Sequence, residues 1–82
     1  MMNKEQILVH LTEAQEELSR TIQDLREDQE YDYGNFLVAM MHLYHHINTA
    51  WNIRDISQER ANKCSEEDFN KWRQMPTDIP LD

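Results

Sequence analysis

Three of the chain's four histidines fall within five residues, His42, His45 and His46, in the run MHLYHHIN. On a helix, His42 and His46 stand four residues apart and His42 and His45 three apart, so two imidazoles share one face. Two histidines one turn apart can chelate a divalent metal such as zinc. A structural site needs about two further ligands, and a catalytic one at least a third. His10, Glu13 and Glu17, spaced i, i+3, i+7 on an earlier helical segment, are placed to face His46 if the two segments pack. The other reading of the three histidines is structural: polar members of a helix interface, bonded to Asn48, Thr49, Asn52 or backbone. The paired Glu-x-x-His motif of carboxylate-bridged di-iron bundles is missing, as are H-E-x-x-H and any phosphate-cradling glycine loop. The acidic run DLREDQEYD lacks the alternation and glycine of a calcium loop. No serine has a base at a reasoned position. The sequence therefore points away from an enzyme.

The elements that carry these residues are helical. Residues 33–53, YGNFLVAMMHLYHHINTAWNI, contain no Asp, Glu, Lys or Arg, in a chain of which 29% is charged. A charge-free helix in such a chain is walled in by protein. It is too polar for a lipid span, with three histidines and three asparagines in about 20 residues. Helix 1, about residues 4–29, repeats Ile7, Leu11, Ala14, Leu18, Ile22 and Leu25 at steps of three and four, which gives one apolar stripe. Asn3 is its expected N-cap, with Gln6 at the capping-box position. Asp32 and Asn35 flank Gly34, the only glycine, and Asp32 is the preferred cap of helix 2.

Helix 2 is expected over about 33–62, with a break near Asp55–Ser57 left open. It has two sides. Phe36, Met40, Leu43, Tyr44, Ile47 and Trp51 form an oily stripe, assigned to a core shared with Ile7, Leu11, Leu18, Ile22 and Leu25 of helix 1. About half a turn away, Val38, His42, His45, Thr49, Asn52, Ile53 and Ile56 form an uncharged, mixed line. One partner helix cannot cover both sides. The second side needs the C-terminal segment or another copy, and its residues are the expected interface of a homodimer. Ser65 with Asp68 marks the start of a short helix, about 65–74, which Pro76 ends. The tail, 75–82, is expected to be extended, with Ile79 and Leu81 as its docking candidates.

The resulting fold class is all-α: one domain, residues 1–82, an antiparallel helical hairpin plus a short C-terminal helix, completing a four-helix bundle as a homodimer. A chain of 82 residues buries a modest share of its surface, and oligomerisation is a common remedy. Sixteen acids against eight bases, a formal charge of −8, disfavour nucleic acid and anionic membranes as partners. Cys64 is alone, so no intrachain disulfide forms and a reducing compartment fits. No signal-like apolar run opens the chain. The function expected is that of a small cytoplasmic, non-enzymatic adaptor or regulator acting through protein contacts. It needs no cofactor. The alternative is a metal-binding bundle built on His42, His45 and His46.

Overall fold

The computed structural model of the chain describes residues 1–79. It is all-helical: α1 (Lys4–Glu27), α2 (Tyr33–Asn52), α3 (Gln58–Lys63) and α4 (Glu66–Trp72), with no strand among the described residues. No helix among them is long and apolar enough to cross a membrane.

Local chemistry sets the ends of each element. Asn3 Oδ1 accepts from the Gln6 amide and starts α1. Asp32 and Asn35 form a reciprocal capping box at the start of α2: Asn35 N donates to Asp32 Oδ1 and Asp32 N to Asn35 Oδ1. Gly34 sits inside that first turn without a positive φ. Ser65 caps α4 by accepting from Asp68 N. The short 28–32 link makes α1 and α2 antiparallel neighbours.

Helix 2 does not continue to residue 62. It stops at Asn52, and Ser57 caps a separate α3. The break has a physical cause. Arg54 Nη1 donates back to the Trp51 carbonyl, while the Asn3 amide donates to the Arg54 carbonyl and Asn3 Nδ2 to that of Ile56. Carbonyls that an unbroken helix would use are thus spent on tying the start of α1 to the chain after α2. The outer helices are also shorter at their ends than expected, Lys4–Glu27 against 4–29 and Glu66–Trp72 against 65–74.

The larger departure concerns what lies between α1 and α2. Contacts between them run through His10, Glu13 and Glu17 on one side and His42 and His46 on the other. Ala14 and Thr21 on α1 and Ala39 and Ala50 on α2, all buried, continue the line. These side chains are small or polar. Of the expected core, Leu11, Leu18, Ile22, Leu25, Phe36, Tyr44 and Ile47 are exposed in the single chain, and Ile7, Met40, Leu43 and Trp51 are half-buried. At 100° per residue, each apolar stripe lies about a quarter turn from the contact line on its own helix. Because the helices are antiparallel, both offsets point to the same side. The hairpin therefore has one open apolar face.

The opposite side is covered by the chain itself. Asn48 Nδ2 donates to the Arg73 carbonyl, and Asn52 Nδ2 donates to the carbonyls of Trp72 and Gln74. Two amides one turn apart on α2 thus satisfy the orphan carbonyls at the end of α4. Ile53 and Trp72 are buried, at 1% and 4% exposure. The tail is held by Asp78, which accepts from Trp51 Nε1 and pairs with Arg54. Ile79 is half-buried, and Leu81 lies outside the described residues.

Candidate functional site

The rings of His45 and His46 stay side by side, centroids 4.8 Å apart, but the three neighbouring histidines face different partners. His42 is exposed, with Nδ1 3.8 Å from Glu17 Oε1. His45 turns toward α4, its ring centroid 5.1 Å from that of Phe69, and its Nδ1 is buried without a hydrogen-bond partner. His46 lies deeper in the seam with α1, its side chain 20% exposed against 60% for His42. The three expected metal residues do not converge on one point.

A different trio does. His10 Nδ1 lies 3.4 Å from His46 Nδ1, and His46 Nδ1 lies 3.1 Å from Glu13 Oε2. One donor atom from each of His10, Glu13 and His46 falls within 4.8 Å of the other two. His10 and Glu13 are one turn apart on α1, so a single helix face presents both. His46 stands opposite them on α2, in a stretch where the small residues Ala14 and Ala50 are buried. His10 and Glu13 were legible as partners for His46 from their spacing. That His42 and His45 leave the set was not, since it depends on where α4 docks.

The trio opens onto a cavity of about 210 Å³ between α1, α2 and the C-terminal helices. His45, Thr49, Ile53, Phe69, Trp72 and Cys64 are among the other residues of its wall. Cys64 holds the left-handed conformation that ends α3, at φ 38°. It lines the cavity but does not join the converging donors. Nothing in the sequence near Cys64 signals that placement. Thr49 Oγ1, like His45 Nδ1, is buried with no partner.

Burial is the largest influence on the titration of His10 and lowers its pKa. The neighbouring His46 lowers it further, and Glu13 opposes both. His45 is lowered in the same way, by burial first and then by His46, Arg73 and His10, against Glu13. Both imidazoles are therefore biased toward the neutral form, which has a free lone pair. The arrangement can share a proton between His10 and His46, or it can hold a cation.

The residues expected at a dimer interface sit as follows. Thr49 and Ile53 are buried beneath the chain's own C-terminal helices, Asn52 is bonded to α4, and Ile56 is half-buried. Val38 and His42 are exposed. Of the two covers the sequence left open for this side, the C-terminal segment takes the part around residues 45–53. No protein-family model matches the chain, and no curated protein or solved structure matches it either.

Proposed function

We propose that this chain is a homodimeric, non-enzymatic helical protein that acts through protein–protein contacts, two hairpins packing face to face as a four-helix bundle. The observation that carries this reading is the open apolar face of the hairpin. On α1 it follows Leu8, Leu11, Gln15, Leu18, Ile22 and Leu25, at steps of 3, 4, 3, 4 and 3. On α2 it follows Tyr33, Leu37, Met40, Tyr44, Ile47 and Trp51, at steps of 4, 3, 4, 3 and 4, with Phe36 alongside. Both are heptad seams, the spacing by which helices of a left-handed bundle meet at its centre.

The occupant best suited to this face is a second copy. Leu8, Leu11, Leu18, Ile22, Leu25, Phe36, Leu37, Tyr44 and Ile47 are each 39–63% exposed. Together they leave open on the order of 800 Å², the share one partner brings to a standard-sized interface. The face carries no charge through α2, so two copies meet without burying an unpaired ion. A two-fold axis through such a face makes it self-complementary, each seam of one hairpin meeting a seam of the other. The acidic surface stays outside the bundle, where it keeps a small protein dispersed and favours basic partner surfaces. The lone Cys64 suits a cytoplasmic, reducing setting.

Sedimentation equilibrium over the micromolar range tests the reading. A dimer that dissociates on dilution is expected, and a monomer throughout that range refutes it.

A further inference from the structure

Inside each hairpin, and independent of self-association, the geometry points to a divalent transition-metal site, filled best by zinc, held by His10 and Glu13 of α1 and His46 of α2.

The donor set has the right chemistry. Two imidazole nitrogens and one carboxylate oxygen are the protein ligands of one familiar class of three-ligand zinc site. Imidazole donors favour zinc, copper or nickel over magnesium and calcium, which take oxygen. The distances also fit. Zinc binds imidazole nitrogen at 2.0–2.1 Å, so two donors on a tetrahedral ion stand about 3.4 Å apart. The His10–His46 nitrogen pair is separated by 3.4 Å, and the nitrogen–oxygen pair of His46 and Glu13 by 3.1 Å. The third edge is within 4.8 Å and closes by a rotation of the half-exposed Glu13 side chain. The side chains therefore stand close to a coordination geometry before any ion arrives, and they come from two helices that the ion would clamp together.

His10, Glu13 and His46 all line the cavity. No other His, Cys, Asp or Glu donor joins the trio among the described residues. The metal's remaining site is left to a water or a small anionic ligand entering the 210 Å³ space. Two buried polar atoms without partners, His45 Nδ1 and Thr49 Oγ1, belong to residues of the same wall. They are what one finds where a bound polar group completes the hydrogen bonding. The acidic balance of the chain, with Glu17 one turn from Glu13, adds a favourable field for a cation.

The test uses the untagged chain, stripped with a chelator and titrated with zinc chloride alone by calorimetry. Cobalt(II) serves as a spectroscopic probe, because a four-coordinate ion gives intense visible bands that a hydrated ion does not. One ion per chain is expected, with those bands. His10→Ala and His46→Ala should each weaken binding by about 100-fold or more, since two protein ligands seldom retain zinc. His42→Ala should leave affinity unchanged. Glu13→Gln changes only a half-exposed surface group, so it reports on the site even if a histidine variant loses its helical far-ultraviolet signal; a loss of about tenfold or more is expected. Absence of saturable binding overturns the assignment. So does a zinc affinity that survives Glu13→Gln and both histidine variants, or one that falls equally in His42→Ala.

Discussion

Leu18 separates the fold of the single hairpin from the assembly of two. It is 47% exposed, and it lies in the middle of the α1 seam, away from the line of Ala14 and Thr21 that meets α2. Fully burying a leucine side chain is worth about 1.5–3 kcal/mol. Roughly half of that remains to be gained at Leu18, so a dimer gains about 1 kcal/mol from each copy and about 2 kcal/mol from the pair. Leu18→Ala should therefore raise the dimer dissociation constant about 30-fold. Leu18→Glu should do more, because it puts a carboxylate into an apolar face that association would take out of water. Ala14→Leu is the contrasting change. Ala14 is 6% exposed between the helices, so added bulk strains the hairpin itself, by about 1–3 kcal/mol. Sedimentation equilibrium and thermal melts at several protein concentrations distinguish the two. In the wild type the melting temperature should rise with concentration, as mass action requires of a dimer. Leu18→Ala should flatten that dependence while keeping its helical signal, and Ala14→Leu should lower the melt at every concentration. Unchanged association in Leu18→Ala, or a loss of stability in that variant that ignores concentration, refutes the assignment of the open face to a second copy.

Three further outcomes follow from single side chains. Ile53 is the one large side chain buried essentially completely among the described residues, so Ile53→Ala should cost about 3 kcal/mol; the fluorescence of the buried Trp72, which shares its cavity wall, should change before the far-ultraviolet signal of α1 and α2 is lost. Gly34 occupies a helical first turn with ordinary φ, and an added Cβ meets only Asp32 Oδ1 at 3.4 Å. Gly34→Ala should stabilise the chain by about 0.5–1 kcal/mol in urea melts. Arg60 donates two hydrogen bonds to Asp68, at 2.9 and 3.2 Å, and these hold the Asp68 carboxyl below the usual carboxylate range. A lowered folded value means that this contribution is complete above the ordinary aspartate value of about 3.9 and disappears as pH falls through the lowered one. In a Trp51→Phe background, where Trp72 is the remaining tryptophan and Arg60 sits over its ring, an acid titration followed by fluorescence should show that step with Asp68 and not with Asp68→Asn.

Much of the chain's local structure was legible because it rests on short-range chemistry. Asn3, Asp32 and Ser65 each cap the helix their neighbours announced, since a side-chain oxygen three residues before a free amide needs no tertiary partner. The end of α2 was not legible, because Arg54, Asp55 and Ile56 are all compatible with a helix. Past its end the chain is held by Asn3, more than fifty residues away, which bonds the carbonyls of Arg54 and Ile56. Nor was the cover over His45 and Asn52 legible, since it depends on where α4 comes to rest.

The placement of the apolar stripes was the least accessible of all. Leu11, Leu18, Ile22 and Leu25 form one heptad line on α1; His10, Ala14, Glu17 and Thr21 form another beside it. Hydrophobicity ranks the first line as the one to bury, and within a lone hairpin the natural inference is that it meets α2. A helix in a bundle, however, touches two neighbours along different lines. Small side chains such as Ala14, Thr21, Ala39 and Ala50 suit the close contact within the hairpin. Large ones suit the wider centre of the proposed dimer, where four helices would leave more volume to fill. Periodicity shows that a line is to be buried, and it does not say by which chain. The same division explains the site: a contact line of small and polar residues is what brings His10 and Glu13 within reach of His46, and an oily seam between α1 and α2 would have kept them apart.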